Sequence, residues 1–265
     1  MSLLAQVKNG KEQLPPRLLL YGWEGVGKST CGNTAPAPVF IDAEAGLSQI
    51  DCARFPQAKT FDDVYAAVEE LRTVEHSFKT VVLDTADAIE RLIHNGICQR
   101  YGVNSIEKAA GGYGKAYTEA ARDFERLLAV LDALRRERGM VVIFIAHAKV
   151  EKFFDPDEGG EYDRYSPRLH KTACALLKEW SDAVLFATRK MVIKKLDENR
   201  NVVAPVGAGG GARVLKTEAG PACVAKNRYG MAPEIPMHWS GIVGAIMKAS
   251  AATVAPNPAT DRREA

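Results

Sequence analysis

The chain has 265 residues, 46% of them hydrophobic, with 35 Lys/Arg against 33 Asp/Glu for a net charge of +2. That suffices for one large core and excludes a wholly disordered or broadly polycationic chain, so any nucleic-acid surface must be local. Five scattered cysteines without a CxxC pair argue against a disulfide framework or zinc site, and neither a signal-peptide core nor a membrane-length apolar run is present, so a cytoplasmic, non-membrane protein is expected.

Residues 1–14 read as a lead-in, 15–249 as one core, and 250–265, small, polar and Pro-containing, as a disordered tail. Pro15 and Pro16 precede RLLLYG, a short buried strand, and APVFIDAEAG contains a second. KTFDDVYAAVEELRTV predicts a helix capped at Thr60, with Phe61, Val64, Val68 and Leu71 on one face. KTVVLDT is a third strand, followed by a helix that turns Ile89, Leu92, Ile93 and Ile97 inward. The glycines of NSIEKAAGGYGK break the pattern as a loop. A long helix from about Tyr113 to Arg138 repeats Tyr117, Ala120, Phe124, Leu127, Leu131 and Leu134 at helical spacing and stops at Gly139. MVVIFIAH is apolar throughout, as a strand covered on both faces should be. A polar stretch from Lys149 to about Leu169 follows, then a helix in HKTACALLKEW and a strand in DAVLFAT. RKMVIKK, ARVLKTE and PACVAKN alternate like antiparallel strands. The expected fold class is α/β, with a mostly parallel central sheet, helices on both faces and a C-terminal antiparallel extension.

The most specific signal is GWEGVGKST, residues 22–30, which matches G-x-x-x-x-G-K-[ST] in full at Gly22, Gly27, Lys28 and Ser29. Such a loop turns backbone N–H groups around a β-phosphate; Lys28 reaches β- and γ-oxygens, Ser29 ligates Mg²⁺, and the following helix adds its positive N-terminal end. Gly25, Val26 and Thr30 complete the expected nucleotide-binding set. Asp84, ending the run Val81–Leu83, is the candidate second Mg²⁺ group. Thr85 rather than glutamate follows it, so the water-orienting group is sought elsewhere: Glu44 is the first candidate, with Asp42 and Glu90 as rivals. His147 ends the fourth strand, where ligands gather in open parallel sheets.

These segments resemble the RecA family of P-loop ATPases. FIDAEAGL is similar to the segment that carries that family's catalytic glutamate, implying the role for Glu44. VVLDT resembles its Walker B strand, implying Mg²⁺ ligation near Asp84, and IFIAHAK resembles the strand ending in a nucleotide-sensing polar residue. Most of the family has glutamine there; His147 matches RadA-type proteins. KNRYG, residues 226–230, resembles the RadA-branch KNRFG motif and implies that Lys226 and Arg228 complete a neighbouring subunit's site. The match spans about 15–236, and the bare core is similar to phage-encoded single-strand annealing proteins of the Sak group. The resemblance therefore implies an ATP- and Mg²⁺-dependent homo-oligomer, ring or filament. It would bind single-stranded DNA, with a single-strand-binding protein as a further partner, and promote annealing or strand pairing in phage recombination in a bacterial cytoplasm.

The segment after His147 corresponds to the mobile DNA-binding loop of RecA relatives. Phe153, Phe154, Tyr162 and Tyr165 are candidates to stack on bases, and Arg164, Arg168 and Lys171 to meet phosphates. Tyr113 and Lys115 offer a second contact. Acids outnumber bases over the whole segment, however, and the alternative is an exposed β-hairpin with its aromatics folded onto the core. Two other functions compete: a nucleotide-gated assembly module with little hydrolysis, and a small-molecule P-loop kinase.

Overall fold

The computed structural model describes residues 3–7, 9–10, 12–155, 160–190, 192–195, 203–206 and 211–254. The parallel part of the sheet is built from β1 (Arg17–Gly22), β2 (Pro38–Asp42), β3 (Ala53–Arg54), β4 (Thr80–Asp84), the first half of β5 (Val141–Asp155) and β7 (Ala183–Arg189). β6 (Gly160–Pro167) folds back on β5, and β8 (Val192–Lys195) pairs with β9 (Val203–Val206) as a separate ribbon. β10 (Arg213–Lys216), β11 (Lys226–Asn227) and β12 (Glu234–Pro236) form the antiparallel extension on β7. The order across the main sheet is β12-β10-β7-β1-β5-β4-β2-β3.

Helices cover both faces, because the strands alternate their inward residues with period two. Leu19, Tyr21, Val81, Leu83, Val142 and Phe144 face α2 (Phe61–Thr73), α3 (Ala86–Tyr101), α4 (Lys115–Arg138) and α5 (Lys171–Trp180). Leu18, Leu20, Val82, Ile143 and Ile145 face α1 (Lys28–Asn33) and α6 (Trp239–Val254). The expected fold class is the observed one.

Local chemistry sets the helix ends. Thr60 and Asp63 form a reciprocal capping box on α2, and Thr85 accepts the Ala88 N–H to start α3. Gly139, at φ +64°, ends α4 where a side chain would be strained. The expected faces of α2 and α4 are buried, except that Tyr117 and, on α3, Leu92 are only partly covered. Each fully buried Leu or Ile contributes about 2 kcal/mol by removal from water.

Three features differ from expectation. β5 does not stop at His147 but runs on to Asp155, so the polar stretch begins as strand and returns as β6. Alternation of Val150, Lys152 and Phe154 on an uncovered ribbon carries no strong apolar signal. α6 was not read from the sequence and extends to Val254, into the expected tail; residues 255–265 lie outside the described residues. The long helix begins at Lys115 rather than Tyr113, because Tyr113 and Gly114 both hold positive φ. All five cysteines are free. No helix among the described residues is long and apolar enough to cross a membrane.

Candidate functional site

Strand register places the site. Gly22 at the end of β1 lies opposite His147, and Asp84 at the end of β4 lies opposite Ile145, so β5 brings His147 between the glycine-rich loop and Asp84. Gly22 must lack a side chain, since a Cβ there would meet the Ala187 carbonyl oxygen at 2.5 Å. Gly25 and Gly27 take φ of +72° and +101°, the left-handed turns that wind the loop into α1. A cleft of about 410 Å³ results, lined by Gly25, Gly27, Lys28, Ser29 and Thr30 from the loop and by Glu24, Glu44, Asp84, Thr85, His147 and Arg213 around it. Val26 is buried behind the loop and packs into the core beneath it.

Lys28 is buried and donates from Nζ to the Gly22 and Trp23 carbonyls at 3.0 and 2.8 Å. Burial lowers its pKa, while Asp84 and Glu24 pull the other way. Ser29 Oγ donates to Asp84 Oδ2 at 2.6 Å. Burial pushes the Asp84 carboxyl up to about 6, Glu44 and Asp42 add to the rise, and Ser29 and Lys28 oppose it. A carboxyl buried beside a hydroxyl and more acids, with its ionisation opposed by burial, is a locus short of positive charge. That donor set fits Mg²⁺, whose remaining oxygens phosphate and water can supply.

The three candidate acids separate clearly. Glu44 is exposed on the cleft wall, and its Oε2 accepts from Thr85 Oγ1 at 3.0 Å. Asp42 spends Oδ1 on the amides of Glu44 and Ala45, at 3.0 and 2.7 Å, to shape the turn after β2. Glu90 receives the His170 N–H at 3.0 Å and fixes the approach to α5. Only Glu44 of the three lines the cleft.

His147 is 7% exposed, and its Nδ1 lies 3.1 Å from Asp87 Oδ2, while its amide donates to Asp87 Oδ1 at 3.1 Å. A carboxylate partner favours the proton on Nδ1, which leaves Nε2 turned toward Glu24, 3.9 Å away. Arg168 bridges the same group, donating to Asp87 at 3.0 Å and Glu24 at 3.2 Å. Burial alone would raise the Asp87 pKa; the bonds from His147 and Arg168 overcome it and hold the carboxylate well below its ordinary range. Asp87, Glu24 and Arg213 were not singled out from the sequence, and Thr85 was noted only as the residue after Asp84 that is not glutamate. The spacing of Asp87 from Asp84 was a usable signal, but an acid in a first helical turn ordinarily reads as a helix-end charge.

The candidates for DNA contact do not converge. Tyr165 stacks on Phe186 at 5.0 Å and meets Trp23 edge-on, so it is a packing residue rather than a free stacking platform. Arg168 belongs to the cleft, as above. Arg164 pairs with Glu151 at 3.2 Å and lies 3.6 Å over the Phe153 ring, so each covers the other. Phe154, 58% exposed, and Tyr113, 100% exposed, remain open, as do Lys115 and Lys171 at the starts of α4 and α5. Lys226 Nζ donates to the Lys178 and Glu179 carbonyls at 2.8 and 2.7 Å, and Arg228 pairs with Asp182 at 3.3 Å. β11 pairs with the first residues of β7, so both cations lie at the end of the sheet away from the chain's own cleft.

A family model described as an AAA domain matches residues 14–229, most of the chain and every residue that lines the cleft. The chain belongs to the AAA-domain family. This AAA domain is a P-loop ATPase-type domain, in keeping with the loop at Gly22–Thr30 and the sheet that carries it. No curated protein matches the AAA domain described here.

Proposed function

We propose that this AAA domain is a Mg²⁺-dependent ATPase whose nucleotide state is passed to the β5–β6 hairpin, and that single-stranded DNA is its polymeric partner. The observation that carries the reading is the convergence of Lys28, Ser29, Asp84, Glu44 and His147 on one cleft. Ser29 and Asp84 would hold Mg²⁺, which neutralises phosphate charge. Lys28 exchanges its loop carbonyls for phosphate oxygens. Glu44, oriented by Thr85, takes the proton of the water that attacks the terminal phosphorus, so ATP and water become ADP and phosphate.

Transmission follows from chain continuity. His147 sits in the same strand as the outgoing arm of the hairpin, and Arg168 sits just past its returning arm. Both bind Asp87, so a change at the cleft reaches both arms of the ribbon. The exposed Phe154 and the Sak-like resemblance support single-stranded DNA and an annealing or strand-pairing role in recombination. The resemblance also supports an oligomer in which Lys226 and Arg228 leave their present carbonyl and Asp182 partners for a neighbour's nucleotide.

The test is ATP turnover with and without single-stranded DNA over a salt series. Mg²⁺-dependent turnover that DNA stimulates, with stimulation fading steeply as salt rises, is expected; Lys28→Ala should abolish it. Turnover indifferent to DNA would remove the DNA partner and leave a nucleotide-gated assembly module. Absence of both triphosphate binding and turnover would overturn the ATPase itself.

A further inference from the structure

The two walls of the cleft carry opposite charge. Glu44 and Asp84 stand on the side of β2 and β4, and the loop cation Lys28 is engaged by carbonyls. On the other side Arg213, the first residue of β10, lines the cleft. Its guanidinium lies over Gly27, where a Cβ would meet Nη1 at 2.6 Å. Among the described residues, no carboxylate or carbonyl is bonded to that guanidinium.

A second observation comes from the ladder. Arg213 lies directly opposite Arg189 of β7. Directly opposed residues share a sheet face, and like charges there cost stability unless an anion answers them. The neighbouring Lys190 has its answer in Glu234 at 2.8 Å; among the described residues Arg189 and Arg213 have none. Register also distinguishes these cations from the KNRYG pair. Arg213 meets the end of β7 beside the loop, whereas Lys226 meets its beginning.

We infer that Arg213 is a phosphate-binding residue acting in cis, closing over the glycine-rich loop of its own chain to contact the nucleotide's phosphates, with Arg189 reinforcing the charge. This deepens the proposed nucleotide site and rests on it. The position over Gly27 selects phosphate rather than base, because the amides of this loop type cradle phosphates. The planar guanidinium fork suits phosphate oxygens. The consequence is that β10, and β12 paired to it, are tied to nucleotide occupancy without a second subunit.

The test is equilibrium binding of fluorescent ATP and ADP analogues with Mg²⁺ to wild type, Arg213→Ala, Arg213→Lys and Lys28→Ala, with melting temperatures as a check of folding. Arg213 is exposed and faces Arg189, so Arg213→Ala should melt no lower than wild type and Arg213→Lys like wild type. Arg213→Ala should weaken the ATP analogue by about tenfold or more, and Arg213→Lys by less. Hydrogen exchange in β10 should slow on adding the ATP analogue to wild type but not to Arg213→Ala. Affinity of Arg213→Ala within about twofold of wild type would overturn the cis contact and leave the nucleotide site standing. A wild type that binds neither analogue would overturn both.

Discussion

Single side chains divide the chemistry of the cleft by environment. Burial, with Glu44 and Asp42 nearby, raises the pKa of Asp84 against the bond from Ser29, and a carboxyl so placed suits a cation. Glu44 is exposed, lines the cleft and is steered by Thr85 rather than consumed by it. A carboxylate so placed is available as a base, and a base of this kind contributes about 10²–10⁴-fold to turnover. Glu44→Gln should therefore keep triphosphate affinity and lose about 10²-fold or more in rate, read from binding and single-turnover hydrolysis side by side. Wild-type turnover in that variant would strip Glu44 of its role. The Glu44 position was legible in FIDAEAG, but the distinction from Asp42 was not. Both sit at the end of one strand, and only the turn reveals that Asp42 is spent on two amides.

Among elements, the β5–β6 ribbon matters most. Its inner end is a core strand, buried on both faces, and its outer end carries exposed Val150 and Phe154. A ribbon of this kind has low local stability, since few apolar contacts hold it, and its order depends on the clamp at its base. The clamp is Asp87, bonded to His147 and Arg168. Adding a non-hydrolysable ATP analogue and Mg²⁺ should slow amide exchange along β6 in wild type, and His147→Ala should lose that response while still binding nucleotide. Equal slowing in the variant would mean that His147 does not transmit. The sequence leaves this segment open between a mobile loop and an exposed β-hairpin, because its residues alternate polar and aromatic, and the strand pairing decides for the hairpin.

At the scale of the molecule, the sheet end remote from the cleft is fastened by Asp182. It accepts from the Arg17 amide and guanidinium, from Arg135 at 3.2 Å and from Arg228 at 3.3 Å, and so ties β1, α4 and the KNRYG segment together. Burial opposes its ionisation, but the bonds from Arg17 prevail and lower its pKa below the ordinary 3.8. A carboxylate with a depressed folded pKa adds stability that is complete at neutral pH and is lost as pH falls below about 4. Asp182→Asn should cost about 3 kcal/mol at pH 7, because it leaves buried cations unanswered. The gap in melting temperature from wild type should narrow as pH falls below about 4. A gap that stays constant down to acid pH would exclude this linkage.

What the sequence by itself determined was local in origin. The glycine-rich loop, the capping box at Thr60, the faces of α2 and α4 and the apolar strands are each specified within a few residues, because backbone conformation and helical or strand period are short-range properties. The alternation of strands and helices was enough for the α/β class. Tertiary structure alone decided which charges meet. His147 and Asp87 are 60 residues apart in the chain, and Arg213 reaches Gly27 only because β10 pairs with β7 beside β1. Strand order and register, not spacing, assemble those contacts, since hydrogen-bonded neighbours in a sheet need not be neighbours in sequence.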